Sequence, residues 1–317
     1  MAAAIALAER GMGLTGNNPS VGCIIVKNGT VIGRGWTQPG GRPHAEAVAL
    51  DQAGAAAKGA TIYVSLEPCA HDSDRGPSCA DRVVTAKPAR VVAALCDPDP
   101  RTAGKGFARL IAAGIVVDQP VLPEAASRSL APFLTRTEKH RPFVTLKLAT
   151  SLDGCIAMRD GRSRWITGAP ARAHAHLERA RCDAILVGAT TVAADQPQLD
   201  VRLPGLETRN PQRIMLGRGV PPQGWQAIRS PQQIADLDCK HLLVEGGAKT
   251  ASAFLAAGLV DRLMLYRAPI LIGGGMPCLS DIGLTTLDAA HGQWQLSDSR
   301  MLGKDRLEVY EALCLQE

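Results

Sequence analysis

The sequence predicts an α/β protein built as two domains. Its 317 residues are about twice the commonest size of a single domain. Strand-like apolar runs alternate with helix-like runs along the whole chain. Between roughly Glu124 and Pro142 the apolar periodicity weakens, and a polar run from Thr135 ends at the helix-breaking Pro142. The boundary is placed there, giving domains 1–141 and 142–317.

In the first domain, residues 23–27 and 30–34 are apolar runs joined by Asn28-Gly29, a dipeptide suited to a tight hairpin. An Ala-rich helix over residues 44–58 ends at Gly59, and residues 60–65 form a β-branched strand. A helix over 79–87, a strand over 90–95, a helix over 107–113 closed by Gly114 and a strand over 115–117 complete a sheet flanked by helices. In the second domain the expected strands are 144–148, 184–187, 213–216, 241–244, 262–266 and 307–313, with helices over 169–181 and 249–257. Residues 204–231, rich in Pro, Gly and Gln, give the weakest reading.

Composition narrows the function classes. Apolar residues are 46% and charged residues 21% of the chain, which points to a folded globular protein. No stretch approaches the ~18 apolar residues of a membrane span. The segment MAAAIALAERG reaches Glu9 and Arg10 before a signal-peptide core is complete. Nine scattered cysteines fit a reducing compartment, so a cytoplasmic protein is expected, with no membrane partner. A net charge of +5 without a Lys/Arg block, and 3% aromatics, argue against a nucleic-acid partner.

The strongest chemical signal is His44-Ala45-Glu46, then Pro68-Cys69, then Cys79. A zinc ion bound by one imidazole and two thiolates keeps a fourth position for water and lowers the pKa of that water. A nearby carboxylate outside the ligand set, Glu46, can then shuttle protons. His44 and Glu46 begin one predicted helix and Cys79 another, so helix N-termini converge on the anionic ligands. The order matches the zinc-deaminase signature, except that nine residues rather than two separate the cysteines. His71 is a second candidate for a ligand position. Taken singly, each of these residues reads as an ordinary core or surface side chain.

Asn18-Pro19-Ser20-Val21-Gly22-Cys23, His44-Ala45-Glu46, Leu66-Glu67-Pro68-Cys69-Ala70-His71, Asp97-Pro98-Asp99-Pro100 and Gly104-Lys105-Gly106 together resemble the bifunctional riboflavin-biosynthesis deaminase/reductase family, over nearly the whole chain. The resemblance implies a cytidine-deaminase-like N-terminal domain and a dihydrofolate-reductase-like C-terminal domain. It implies a small phosphorylated pyrimidine as substrate, 2,5-diamino-6-(ribosylamino)pyrimidin-4-one 5′-phosphate. The first domain would deaminate it, and the second would reduce the ribosyl group to ribityl with NADPH. It assigns zinc to His44, Cys69 and Cys79, the proton shuttle to Glu46, and substrate contacts to Asn18, Asp97 and Asp99. A homo-oligomer is the expected assembly. The loop from Asp72 to Ser78 is one residue longer than the usual form, which affects contacts such as Arg75.

Gly11-Met-Gly-Leu-Thr-Gly16 fits G-x-G-x-x-G literally but follows a helix-like segment and opens no helix, so it is not read as a dinucleotide fingerprint. The reductase resemblance instead rests on Lys147 to Gly154, Ser163 to Thr167, Asp183 to Thr191, Asp195 to Leu199, Arg202 and Val244 to Gly247. By position it implies cofactor contacts at Ala149, Trp165, Thr191, Asp195 and the segment from Gly247 to Ala253, where Gly246-Gly247 opens a helix whose N-terminal amides suit a pyrophosphate. It implies substrate contacts at Ser163, Arg179, Leu199, Arg202 and Glu245, with Arg179 and Arg202 on the phosphate. Lys147, Asp195 and Glu245 are candidates for polarising or protonating the sugar; read without the motifs they form a strand-edge ion network. Gly217-Arg218 stands where Asp-Ser is common in a chain shortened after this strand, and Arg218 is a candidate for the 2′-phosphate of NADPH. Two alternatives are a nucleoside- or tRNA-type deaminase with an unrelated appendage, and a structural zinc module in which His71 is the fourth ligand.

Overall fold

Asn28 and Gly29 both take positive φ, 49° and 75°, as a type I′ hairpin turn requires. They set the first sheet of the computed structural model, which describes residues 1–71 and 76–313. The chain divides into two units, Met1–Arg141 and Pro142–Glu317.

In the first unit the order is α1 (Ala2–Ala8), β1 (Gly22–Lys27), β2 (Thr30–Trp36), α2 (Ala45–Ala53), β3 (Thr61–Val64), α3 (Cys79–Ala86), β4 (Arg90–Ala93), α4 (Lys105–Ala112), β5 (Val116–Asp118) and α5 (Pro123–Lys139). The sheet runs β2-β1-β3-β4-β5. β1 is antiparallel to β2 and β3, whereas β3, β4 and β5 are parallel. Parallel neighbours require crossovers, and α3 and α4 supply them. Both helices therefore open at the carboxyl edge of the sheet. Helix α2 lies directly on β2: a Cβ at Gly35 would run into the Ala45 carbonyl oxygen, so the glycine admits the helix that carries Glu46. Ala45, Ala49, Ile25, Ile62, Val64, Val91, Leu110 and Leu130 form the core.

Two sequence expectations change here. The stretch expected to be irregular after Glu124 is the 17-residue helix α5, with Pro123 in its first turn and Pro132 inside it. Its fully buried stripe is narrow, Ala126, Leu130 and Thr135, so polar residues mask the period. The helix expected over 44–58 ends at Ala53, where Gly54 adopts φ 53°, and continues only as a 3₁₀ turn, Gly54–Ala57.

The second unit contains β6 (Phe143–Thr150), β7 (Cys155–Ala157), α6 (Ala169–Arg181), β8 (Ala184–Gly188), α7 (Ala189–Asp195), β9 (Gln212–Leu216), β10 (Gln226–Ile228), β11 (His241–Val244), α8 (Ala248–Ala256), β12 (Arg262–Arg267), β13 (Met276–Pro277), β14 (Trp294–Leu302) and β15 (Asp305–Ala312). Eight strands pair in the order β10-β9-β8-β11-β6-β12-β15-β14. The run from β10 to β12 is parallel, and β15 and β14 are antiparallel additions. β13 pairs with β7 in a separate ribbon. The central strands β8 and β11 are buried throughout, as a parallel sheet covered on both faces demands. β14 was not expected from the sequence. Most of its residues are exposed, so it has no apolar alternation to read. Among the described residues no helix is long and apolar enough to cross a membrane.

Candidate active site

In the first unit, His44 is the N-cap of α2, Cys69 follows β3, and Cys79 is the first residue of α3, after the N-cap Ser78. His44 Nδ1 lies 3.3 Å from Cys79 Sγ and 3.5 Å from Cys69 Sγ. Tetrahedral zinc with Zn–N ≈ 2.0–2.1 Å and Zn–S ≈ 2.3 Å implies N–S edges of about 3.5 Å. The donor set and its spacing fit that ion, and these three are the metal-capable cluster among the described residues. The other ring nitrogen, Nε2, is buried without a hydrogen-bond partner, so the ring turns its Nδ1 edge to the sulfurs.

The Cys79 amide donates to Cys69 Sγ at 3.3 Å, placing this sulfur at a helix N-terminus, where negative charge is favoured. Cys69 is held well below the ordinary thiol range by its hydrogen bonds from Cys79 and His44, against the effect of burial. Glu46, on the first turn of α2, is 3% exposed. Burial pushes its carboxyl up to about 7, with His44 pulling the other way, which is the range a neutral-pH proton shuttle needs.

A cavity opens beside this cluster, lined among others by Asn18, Glu46, His71, Asp97, Asp99 and Arg101. Asn18, Asp97 and Asp99 thus lie at one pocket with His44 and Cys69. Burial raises the Asp97 carboxyl to about 6, while the Arg101 hydrogen bonds hold Asp99 low. His71 is not part of the metal cluster; its Nδ1 lies 3.3 Å from Thr102 Oγ1. Among the described residues the cluster therefore offers three ligands, the number an open catalytic zinc site uses, rather than the four of a closed structural module. Arg75 lies outside the described residues. The segment from Gly11 to Gly16 is a turn after a 3₁₀ helix, so it cannot present a dinucleotide-binding helix.

In the second unit, Lys147 and Ala149 project on one face near the carboxyl end of β6, and Glu245 follows β11, its parallel neighbour. Glu245 receives a bidentate pair from Arg179 of α6, Nε to Oε1 at 2.7 Å and Nη2 to Oε2 at 2.9 Å. Lys147 Nζ stands 3.7 Å from Oε2. Burial pushes the Glu245 pKa up, but Lys147 and Arg179 outweigh it and hold the carboxyl at about 2. Lys147 also lies 5.8 Å over the ring of the buried Tyr266, whose hydroxyl is 2.8 Å from His174 Nδ1.

Helices α7 and α8 open beside this cluster with glycine N-caps, Gly188 and Gly247, and no side chain caps either first turn. A Cβ at Gly246 would run into the Thr250 side chain, while open space faces Gly247. Bare backbone at an uncapped helix N-terminus fits a dinucleotide phosphate.

The remaining expected positions are distributed unevenly. Thr191 is half-buried on α7, and Leu199 is buried with φ 52°. Ser163 is exposed, and Trp165, 66% exposed, carries Arg172 over its ring at 4.6 Å. Asp195 is exposed at the last residue of α7.

Arg179 and Arg202, the expected phosphate contacts, differ in their partners. Arg179 is spent on Glu245 and on the Asp200 carbonyl, 3.0 Å from Nη1, because a buried carboxylate needs a cation more than solvent does. Arg202, largely exposed, forms an ion pair with Asp200, Nε to Oδ1 at 3.1 Å. Arg218 is exposed after β9, where Arg229 rather than Arg218 binds the loop carbonyls of Gly217 and Gly219. Sequence reasoning assigned no role to Glu67, Arg101, His174 or Tyr266. For Glu67 the signal was its place beside Pro68-Cys69.

Comparison with known proteins gives concordant results for both units. Residues 1–95 match the family model of the cytidine and deoxycytidylate deaminase zinc-binding region. Residues 142–223 and 232–307 match that of the RibD C-terminal domain. The chain is 38% identical, over an alignment 355 positions long, to the riboflavin biosynthesis protein RibD of Escherichia coli (strain K12), covering 96% of each. It is 36% identical over 326 residues to that of Aquifex aeolicus (strain VF5), covering 91% of each. The structure of Acinetobacter baumannii RibD, form 1, aligns with a TM-score of 0.85 at 36% identity, covering 99% of this chain and 98% of that one. A diaminohydroxyphosphoribosylaminopyrimidine deaminase/5-amino-6-(5-phosphoribosylamino)uracil reductase from Thermotoga maritima aligns with a TM-score of 0.87 at 31% identity, covering 99% and 97%.

The depressed Glu245 pKa carries a stability prediction. A carboxyl held at about 2 when folded and near the ordinary ~4.3 when unfolded contributes on the order of 3 kcal/mol, fully present by about pH 6. That contribution is lost as pH falls towards 2. Urea unfolding of the second unit should therefore weaken between pH 6 and pH 3 in the parent chain and do so less steeply in Glu245→Gln. Equal slopes would contradict the assignment.

Proposed function

The chain belongs to the bifunctional riboflavin-biosynthesis deaminase/reductase family, and we propose that its own two sites act in succession on one phosphorylated diaminopyrimidine. The observation that carries this reading is the His44–Cys69–Cys79 cluster beside the buried Glu46, at a cavity lined by Asn18, Asp97 and Asp99. His44, Cys69 and Cys79 would hold zinc, which would supply the Lewis acidity that makes water a nucleophile near neutral pH. Glu46 takes the proton that water loses and returns protons to the ring nitrogen and to the departing ammonia. Its exclusion from bulk water keeps its proton affinity in the working range. Asn18, Asp97 and Asp99 hold the amino-bearing ring at the pocket floor.

In the second unit, whose fold we read as dihydrofolate-reductase-like, NADPH would supply the hydride when bound. The glycine-opened N-terminus of α8 holds its phosphates, and Ala149, Trp165, Thr191 and Asp195 line its path. Lys147 polarises and protonates the sugar. Glu245, too acidic to donate a proton near neutrality, fixes the Lys147 charge instead. Arg202 takes the ribose phosphate, with Ser163 and Leu199 beside it, and Arg218 faces the 2′-phosphate. We place the protein in the cytoplasm as a homo-oligomer without nucleic-acid or membrane partners.

Incubating the purified chain with the diaminopyrimidine phosphate, with and without NADPH, should yield masses of the deaminated and of the deaminated and reduced products. An unchanged substrate mass would sink the proposal. Glu46→Ala should retain zinc, lose deamination by at least ~100-fold and still reduce the pre-deaminated compound; loss of both activities in folded, zinc-replete protein would contradict independent sites. Arg218→Ala should raise KM for NADPH several-fold more than KM for NADH. An unmoved ratio rejects that contact.

A further inference from the structure

Glu67 is a buried carboxylate that the chemistry above does not use. It is 3% exposed and directly precedes Pro68-Cys69. Its Oε2 accepts from the Asp97 amide at 3.2 Å, the Gly104 amide at 3.0 Å and the Cys96 thiol at 3.0 Å. Its Oε1 accepts from the Phe107 amide at 3.0 Å. Four donors therefore meet on one carboxylate, none of them a cationic side chain. The negative charge is met by backbone amides at the start of α4, where the helix dipole favours it.

These donors sit at the two ends of one loop. Asp97 begins the segment and Gly104 and Phe107 close it, so the carboxylate ties the base of the loop shut. Between the ties lie Asp97, Asp99 and Arg101, which line the cavity, and the fully buried Thr102, whose Oγ1 meets the Ala70 amide and His71. The Glu67 amide itself donates to the Leu95 carbonyl at 2.9 Å, extending the β3–β4 pairing up to the tie. Gly106 completes the fit: a Cβ there would run into the Pro68 carbonyl oxygen and stand 3.0 Å from Glu67 Oε1.

We propose that Glu67 is a positioning residue of the first site. It sets the loop that presents Asp97 and Asp99 to the pyrimidine and touches neither the substrate nor the reacting atoms. The proposal rests on the deaminase reading above. The proton shuttle Glu46 and the ligands His44 and Cys79 stand on other segments, and Cys69, two residues from Glu67, is fixed separately by the Cys79 amide at 3.3 Å, so loosening the loop should weaken substrate binding more than the chemical step. A structural role alone would lower both together, or neither.

The test uses the full chain loaded with zinc and the diaminopyrimidine phosphate. In Glu67→Gln an N–H must face either the Phe107 amide or the Asp97 and Gly104 amides, breaking at least one charge-assisted hydrogen bond. Deaminase KM should rise about tenfold or more, with kcat, zinc content and reductase activity little changed. Gly106→Ala forces a Cβ against the Pro68 carbonyl oxygen, so it is read beside Cys96→Ala, which removes the exposed thiol donor from the same carboxylate and should show the same split in smaller measure; Cys96→Ala decides the matter if the other two lose zinc or fail to fold. A KM unchanged in the variants that fold, or a fall in kcat without a rise in KM, overturns the proposal. Failure of the unsubstituted chain to deaminate the compound would instead remove the deaminase reading, and this proposal with it.

Discussion

Parallel strand pairing is the constraint from which both sites follow. A strand paired in parallel with its neighbour must return through a crossover, and where that crossover is a helix its unpaired N–H groups face the edge where the strand ended. In the first unit this edge receives Cys69 and Cys79 after β3 and the Asp97 loop after β4. In the second it receives the starts of α7 and α8 after β8 and β11, beside Lys147 and Glu245. The chemistry differs, but both edges suit anionic groups: thiolates and a buried carboxylate in one, a dinucleotide phosphate in the other.

Within that frame, partners rather than burial decide what each acid does. Glu46 and Glu245 are both removed from water. Burial dominates at Glu46 and raises its pKa to about 7, whereas Lys147 and Arg179 hold Glu245 at about 2. One carboxyl can exchange protons near neutrality, and the other is a fixed charge. Glu67 is a third case, a buried carboxylate balanced by backbone amides and a thiol, which makes it a structural tie.

Legibility in the sequence followed the range of the interaction. The hairpin at Asn28-Gly29 was readable because a turn is decided by its own residues. The strands of both sheets were readable wherever burial imprinted an apolar run. α5 was missed because only a narrow stripe of it is buried, and β14 because almost nothing along it is. The zinc cluster was readable as residue types in order, since a metal that prefers N and S donors leaves few other uses for that combination. The choice between His71 and the cysteines is decided only in space, where the donor atoms of His44, Cys69 and Cys79 come together and His71 lies against Thr102.

The sequence by itself determined the α/β character, the two-part organisation and the donor set of the first site, because periodicity and ligand chemistry are properties of residues and their order. Tertiary structure alone decided which charges meet. Nothing in the order of the residues pairs Arg179 with Glu245, 66 residues away; Glu67 carried no assigned role and binds amides 30 to 40 residues on. Charges and hydrogen-bonding groups act through space with strengths set by distance and burial, and neither quantity is written in the order of the residues.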